Sequence, residues 1–322
     1  MNKGNVKLES KDDDICQVLS DEEVFADLFN GALFNGLQVI RPEMLAQMNE
    51  KKYLNITGKG QRRVILKRIR DVQKYAALRD GCLAVVLAAE GQREIHFAMP
   101  VRSMLYDAVD YTAQVEQITK AHREQKDLKN SAEYLSGLKK SDRLLPVITI
   151  VFYYGEEQRW YGPLSLHDML EIPEEIQPFK KYIQDYKVNL VYSGSVDSRN
   201  FRTGLQDVFN LLPLMKDKEG MKAALEENKE YYSHMDKKRG WVLSKFLNIP
   251  ELKTEDQEGE VVDMCTAIEE MIRDGRDEGI TQGERKVNRL IQILLEESKQ
   301  DEITRAVYDQ HYQKKLFEKY GI

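Results

Sequence analysis

Residues 70–92 read RDVQKYAALRDGCLAVVLAAEGQ and contain the longest uninterrupted apolar run of the chain, CLAVVLAA at 82–89. This run predicts a central strand, because it offers neither face to water. The preceding residues, 62–79, alternate loosely between basic and apolar types, as a half-exposed strand does. An Asp-Gly pair at 80–81 separates the two runs and is a strong hairpin signal. The sequence therefore predicts an antiparallel hairpin within a sheet.

Acidic and amide side chains bracket this hairpin at its open end. Asp71 precedes the first strand, and Glu90 and Gln92 close the second. In an antiparallel hairpin the start of one strand lies beside the end of the next, so the Asp71 and Glu90 carboxylates can meet. Carboxylate oxygens and the Gly91 carbonyl are ligands that Mg²⁺ prefers, and a bound Mg²⁺ can activate water for phosphodiester hydrolysis. The alternative is that these groups are surface residues at the ends of an ordinary strand.

The composition describes a soluble globular protein. The hydrophobic fraction is 42% and the charged fraction is 32%, and the apolar run at 82–89 is much shorter than the ~20 residues of a membrane helix. The three cysteines lie far apart without a CxxC pair, which argues against a zinc ribbon and suits a reducing cytoplasm. No phosphate-loop or dinucleotide-binding motif is present. We therefore expect a cytoplasmic protein with no membrane partner.

A basic band interrupts an acidic chain. The net charge is −6, yet residues 61–79 carry a single acid, Asp71. The basic residues of this segment are Arg62, Arg63, Lys67, Arg68, Arg70, Lys74 and Arg79. Such a band can contact a phosphate backbone. The alternative is a solvated strand or hairpin face, which the charge alone slightly favours.

The order of the predicted elements indicates an α/β fold with a mixed central sheet flanked by helices and an all-α C-terminal extension. A helix begins at Asp21, a second central strand lies in 144–155, and Ser165 with Asp168 predicts a capping box. The helix at 101–125 is expected to bury Val101, Met104, Leu105, Ala108, Tyr111 and Val115. The predicted parts are a flexible lead-in at 1–20, a core domain at 21–200, a helical accessory region at 201–274 and a glycine-spaced helical tail at 275–322.

Gly275, Gly279 and Gly283 recur at four-residue intervals in this tail. Each glycine in a helix costs about 1 kcal/mol relative to alanine, so three in register need a reason. A small-residue stripe would let a second helix approach closely, which predicts a homo-oligomer formed through the C-terminal helices. A flexible link is the equally supported alternative.

The Asp followed by Glu-x-Gln resembles the PD-(D/E)XK nuclease superfamily, whose active site has an Asp on one strand and Glu-x-Lys on the next. The chain most closely resembles the bacterial recombination-promoting nucleases, also described as YhgA-like transposases, in which Gln replaces Lys. The segments that carry this resemblance are VFADLF at 24–29, RDVQKY at 70–75, LAAEGQ at 87–92, MPVRSMLYD at 99–107, LLPVITIVFYYG at 144–155, RWYGPLSLHDML at 159–170, DYKVNL at 185–190, KDKEGMKAALEENKEYY at 216–232 and VVDMCTAIEEMIRDGRDEGITQG at 261–283.

The resemblance implies a restriction-endonuclease-like core and assigns a role to each site residue. Asp71 and Glu90 would bind Mg²⁺, or Mn²⁺, together with the Gly91 carbonyl. Gln92 would orient the attacking water. Gly91 stands where relatives often have Asn or His, and Lys67 could supply the positive charge that Gln92 lacks.

Residues outside the hairpin complete the predicted site. Glu23 and Asp27, four apart on one helix, could surround the metal ligands, although acids in a first helical turn usually serve the helix dipole. Arg102 and Tyr106 are also four residues apart, and could contact DNA phosphate or pair with the acidic cluster.

The aromatic residues near 160 allow two interpretations. Trp160, with Tyr153, Tyr154 and Tyr161, could stack on nucleic acid bases, but aromatics beside a Gly-Pro turn more often pack at a sheet end. The five histidines show no metal-ligand spacing and are expected to be structural or surface residues.

The predicted function is Mg²⁺-dependent hydrolysis of double-stranded DNA by an endonuclease that promotes recombination or transposition. One alternative is a nucleic-acid-binding protein of the same fold that does not cut. The other is an interaction protein that self-assembles through its glycine-spaced tail.

Overall fold

The computed structural model describes residues 13–47, 52–56, 64–68, 71–79, 82–155, 159–249 and 260–322. The strands are β1 (Leu45–Gln47), β2 (Lys52–Ile56), β3 (Val64–Arg68), β4 (Val72–Arg79), β5 (Cys82–Gln92), β6 (Val147–Tyr153), β7 (Asn189–Val191), β8 (Met235–Asp236) and β9 (Val261–Val262). The helices are α1 (13–20), α2 (Glu22–Leu33), α3 (Met99–Gln125), α4 (Ser131–Ser136), α5 (Leu205–Leu211), α6 (Lys218–Glu227), α7 (Lys229–Ser233), α8 (Lys237–Leu247), α9 (Met264–Glu296), α10 (Gln300–Tyr308) and α11 (Gln310–Tyr320).

The chain divides into two compact units. The first comprises Met1–Asn228 with Met235–Val262, and the second comprises Lys229–His234 with Asp263–Ile322. The first contains a five-stranded sheet in the order β1-β4-β5-β6-β7. β1, β4 and β5 are antiparallel neighbours, whereas β5, β6 and β7 run parallel. The predicted mixed α/β architecture, with helices flanking a mixed sheet, is confirmed.

The predicted hairpin is the centre of this sheet. β4 and β5 pair antiparallel from Arg79–Cys82 to Val72–Ala89, with a register shift near Ala76. The turn residues at 80–81 lie outside the described residues. Residues 85–90 are buried without exception, as expected for a strand with a neighbour on each side.

The single strand predicted over 62–79 is wrong. Val64–Arg68 forms β3, which pairs with β2 in a separate two-stranded sheet, and β4 begins at Val72. Lys67 is therefore not on the strand that follows Asp71. Among the predicted DNA-binding residues, Arg62, Arg63 and Arg70 and the side chains of Lys67 and Arg68 lie outside the described residues. The contact of this basic band with phosphate stays a prediction.

Two further elements differ from the sequence-based expectation. Residues 13–20 form helix α1 rather than a loose lead-in, because Ile15, Val18 and Leu19 share one face and are buried. Leu45–Gln47 carries no strand signal in the sequence and forms edge strand β1 after a 3₁₀ turn at Pro42–Met44. A three-residue strand has too little alternation to be recognised from sequence.

Helices α2 and α3 cover opposite faces of the sheet. Lys74 of β4 lies under α2, with its ammonium 5.6 Å from the centre of the Phe25 ring. The adjacent Gln73 donates a hydrogen bond to Asp110 of α3. Because successive strand residues point to opposite faces, the two helices must lie on different sides.

The buried face of α3 is partly polar and is not the predicted one. Val101 and Met104 are exposed, whereas Tyr106, Asp107 and Asp110 are buried. The Asp107 carboxylate accepts hydrogen bonds from the hydroxyls of Thr149 and Tyr186, and Asp110 accepts from Gln73. Buried polar groups are tolerated when they are hydrogen-bonded, so this helix packs through side chains that an apolar pattern cannot identify.

The second unit is helical in its described part. The end of α9 packs with α10 and α11 around Leu290, Leu294, Ala306 and Leu316. The glycine-spaced segment is part of the continuous helix α9. In the described part of the chain, no helix is both long and apolar enough to cross a membrane.

Candidate active site

Asp71 and Glu90 lie at the open end of the central hairpin. The last β4–β5 pair is Val72 with Ala89. Asp71 immediately precedes β4, and Glu90 follows Ala89 on β5. Oδ2 of Asp71 accepts a hydrogen bond of 2.7 Å from the backbone N–H of Gly91. The predicted proximity of Asp71 to the end of β5 is therefore present in the structure.

A cavity of ≈ 300 Å³ opens at this end of the sheet. Its wall includes Asp71, Gly91 and Gln92 from the hairpin and Arg102 from α3. Ile15 and Cys16 of α1 also line it. Helix α1 thus contributes to a site that the sequence assigned to the hairpin alone.

Glu90 is held by Arg102. No part of Glu90 is exposed, and its Oε2 accepts a hydrogen bond of 3.2 Å from the Arg102 guanidinium. Arg102 also donates from Nε to the Tyr106 hydroxyl at 3.0 Å, so the predicted i,i+4 neighbours do contact each other. Burial opposes the charge of Arg102, but the nearby Glu90, Tyr106 and Asp71 together raise the pKa of its guanidinium. Arg102 is thus the internal counter-ion of the acidic pair.

Gly91 and Gln92 are fitted closely around Asp71. The side-chain amide of Gln92 donates from Nε2 to the Gly91 carbonyl at 2.7 Å. A Cβ on Gly91 would lie 3.3 Å from the Tyr154 ring and 3.6 Å from Oδ2 of Asp71. The absence of a side chain at Gly91 therefore keeps the space beside the Asp71 carboxylate open.

The two helical acids contact other elements. Asp27 is buried and accepts hydrogen bonds from the backbone N–H groups of Arg202 and Thr203 and from the Thr203 hydroxyl. Glu23 is exposed and forms an ion pair with Lys238 of α8. These contacts give both acids a structural role, and their predicted place around the metal ligands stays a prediction.

The donor atoms at the hairpin end suit a hard divalent cation. Mg²⁺ is commonly held by one or two carboxylates, with water and substrate oxygens at the remaining positions. The Asp71 and Glu90 carboxylates and the Gly91 carbonyl provide such a set. Within the described residues, no three His, Cys, Asp or Glu side chains are grouped to hold a metal ion, so a cation here would depend on this pair and the carbonyl.

Several residues of the cavity wall were not expected from the sequence. Arg93, Glu94, Ile95 and His96, in the loop between β5 and α3, line the cavity together with Tyr154. This loop carries no periodicity or spacing motif, and only its position after Glu-x-Gln could have indicated that it lies near the site.

Comparison of the chain with models of protein families, with curated proteins and with solved structures gave no match. The resemblance to recombination-promoting nucleases therefore stays a prediction. Any functional conclusion depends on the geometry of the site itself.

Proposed function

We propose that this chain is a Mg²⁺-dependent endonuclease that hydrolyses DNA phosphodiester bonds, with a restriction-endonuclease-like core and a role in recombination or transposition. The observation that carries the proposal is the position of Asp71 and Glu90 directly beyond the last paired residues of the hairpin, Val72 and Ala89, with the Asp71 carboxylate bonded to the Gly91 N–H. Asp71 and Gln92 also line a cavity of ≈ 300 Å³, which a phosphodiester group can enter.

Each side chain would have a separate task in this reaction. Asp71, Glu90 and the Gly91 carbonyl would hold Mg²⁺, which when bound lowers the pKa of a coordinated water and neutralises phosphate charge. Because Nε2 of Gln92 donates to the Gly91 carbonyl, its Oε1 would accept a hydrogen bond from the attacking water and so orient it. The water oxygen would then bond to phosphorus as the bond from phosphorus to one sugar oxygen breaks. The attacking water would give one proton to solvent water, and the leaving sugar oxygen would take one from solvent water, so that the products are a phosphomonoester and a free hydroxyl.

Arg102 would supply the positive charge that Gln92 lacks. It lines the cavity, and its elevated pKa keeps the guanidinium charged. Its position beside Glu90 makes it the group best placed to neutralise the carboxylates in the absence of metal and the phosphate when substrate is bound.

One observation favours a second candidate, a nucleic-acid-binding protein that does not cut. Glu90 is fully buried and already paired with Arg102, and an acid with such a partner can serve stability alone. In this case the chain would bind DNA without cleaving it, and Asp71 and Glu90 would have no catalytic role.

A nicking assay separates the two candidates. Supercoiled plasmid is incubated with wild type, Asp71→Asn or Glu90→Gln in Mg²⁺, in Mn²⁺ and in excess EDTA. The proposal expects nicking that requires metal and is lost in both variants. Unchanged nicking in either variant contradicts the site assignment, and DNA binding without any nicking supports the second candidate.

A further inference from the structure

Two aromatic side chains stand exposed beside the cavity. Phe97 is 59% exposed and Tyr161 is 67% exposed, and their ring centres lie 5.9 Å apart. Exposed apolar side chains are unremarkable singly, but two large rings in contact with each other form a patch that favours a partner.

The chain on either side of these rings is anchored at the cavity. Phe97 directly follows His96, which lines the cavity, and precedes α3. Tyr161 is followed by Gly162, where a Cβ would lie only 3.0 Å from the Ile95 side chain of the cavity wall. Both rings are therefore held at the rim, by segments that pack against each other.

The neighbouring aromatic residues are used for packing. Tyr153 and Tyr154 are buried, and the Trp160 ring packs edge-on against Tyr153 at 5.4 Å. Of the four aromatic residues that the sequence offered as base-stacking candidates, these three follow the packing interpretation. Tyr161 does not, and Phe97, which the sequence did not single out, joins it.

We propose that Phe97 and Tyr161 form a stacking surface for an unpaired base of a nucleic acid strand. The proposal rests on the proposed function, because the strand is placed by a phosphate that enters the adjacent cavity. Arg102 lines the cavity, and the exposed Arg159 lies two residues before Tyr161, so both can supply positive charge for the nucleic acid backbone.

Stacking makes this surface selective for unpaired nucleotides. Every base has a π-face that an exposed aromatic ring can cover, irrespective of sequence. In a fully paired duplex both faces of each internal base are already stacked, so the rings have little to contact. The substrate class is therefore DNA with unpaired nucleotides beside the scissile phosphate, such as a single strand, a flap or a frayed end.

A matched control pair exists elsewhere on the chain. Phe179 and Tyr182 are 57% and 70% exposed, and their ring centres are 6.5 Å apart. They lie on the 3₁₀ helix Glu174–Tyr182, and neither lines the cavity. Removing this pair changes surface hydrophobicity to the same extent and leaves the cavity rim intact.

The test measures binding to DNA in EDTA, where no metal-dependent cutting interferes. The probes are a single strand and a fully paired duplex, each with one 2-aminopurine whose fluorescence falls when its ring stacks. Wild type should bind the single strand and quench the probe, and Phe97→Ala/Tyr161→Ala should bind it at least about tenfold more weakly without quenching. Phe179→Ala/Tyr182→Ala should match wild type, and duplex affinity should change less than about threefold in either double variant.

The proposal is overturned if Phe97→Ala/Tyr161→Ala binds the single strand and quenches the probe like wild type. It is overturned equally if Phe179→Ala/Tyr182→Ala loses as much single-strand affinity as Phe97→Ala/Tyr161→Ala. It is also overturned if wild type binds the single strand no better than the duplex, or not at all. If the nicking assay shows that cleavage requires Asp71 and Glu90, but Phe97→Ala/Tyr161→Ala binds normally, the stacking surface is refuted and the proposed function stands. If stacking is lost in Phe97→Ala/Tyr161→Ala, but nicking is unchanged in Asp71→Asn and Glu90→Gln, the proposed function is refuted and the stacking surface stands.

Discussion

The guanidinium of Arg102 lies 3.2 Å from Oε2 of Glu90, a side chain with no exposed surface. A buried carboxylate is costly unless a positive charge compensates it. Within the protein Arg102 is that charge, and a bound divalent cation would be another. If the site binds a divalent cation, the two cations would compete for one carboxylate.

Arg102→Gln should destabilise the metal-free protein and strengthen metal binding. Loss of the guanidinium should lower the free energy of unfolding by about 2–4 kcal/mol, less than for a fully buried pair because the Arg102 side chain is 27% exposed. Urea unfolding in EDTA measures the first effect, and calorimetric titration with Mn²⁺ measures the second. Arg199→Gln, which breaks the exposed pair with Asp197, is the control and should change neither quantity appreciably. An Arg102→Gln protein of wild-type stability would refute the counter-ion role.

His122 should make stability depend on pH near neutrality. Its two ring nitrogens lie 2.8 Å from Asp127 and 2.9 Å from Asp142, and Lys139 also pairs with Asp127. Hydrogen bonding to Asp142 and Asp127 raises the pKa of His122 above 6.5, so its contribution is fully present below pH 6.5. That contribution is lost as the pH rises through the raised pKa.

The measurement compares wild type with His122→Gln by urea unfolding between about pH 6 and pH 9. The wild-type advantage should be largest at the acidic end and shrink as the pH rises. An advantage that grows with pH, or does not change, would show that the imidazolium form is not the one these carboxylates stabilise.

Asp27→Asn should test whether this acid is structural. Its carboxylate accepts hydrogen bonds from Arg202 and Thr203, and hydrogen bonds to a charged group contribute about 1.5–3 kcal/mol. The substitution should lower the free energy of unfolding by an amount of that order and leave Mn²⁺ affinity unchanged. Glu23→Gln should affect stability little, because Glu23 is exposed. A drop in Mn²⁺ affinity in a stable Asp27→Asn protein would instead restore its predicted role near the metal.

Gly279→Ala should stabilise helix α9. A Cβ at this position meets no atom within 4 Å, and alanine is favoured over glycine inside a helix by about 1 kcal/mol. Thermal unfolding checks the stability and light scattering gives the mass in solution. A stabilised protein of unchanged mass argues against self-assembly through the glycine face. A lower mass in solution for Gly279→Ala than for wild type would support the predicted homo-oligomer.

The hairpin was predictable because its signals are local. The all-apolar run and the Asp-Gly pair indicate two adjacent antiparallel strands within about twenty residues. The pairing of β4 with β5 confirms them, although β4 begins at Val72 and does not extend back to residue 62. The helix that begins at Asp21 and the capping box of Ser165 with Asp168 were predictable for the same reason, and both are confirmed.

The features that depend on contacts distant in sequence could not be predicted. α3 buries Asp107 and Asp110 because their partners come from β4, β6 and the segment before β7, and no helix pattern reports such partners. The orientation of α3 that buries Asp107 and Asp110 also places Arg102 beside Glu90. The apolar pattern instead favoured the side that carries Val101 and Met104, which the structure leaves exposed.

The central claim is that Asp71 and Glu90 share one divalent cation, and titration of the metal-free protein with Mn²⁺ tests it most directly. Wild type should bind one Mn²⁺ at this site, and Asp71→Asn and Glu90→Gln should each weaken that binding by at least about tenfold. Glu94→Gln removes a carboxylate from the same cavity wall and should leave the affinity within about threefold of wild type. Wild-type affinity in either Asp71→Asn or Glu90→Gln, or no Mn²⁺ binding by the wild-type protein, would contradict the account.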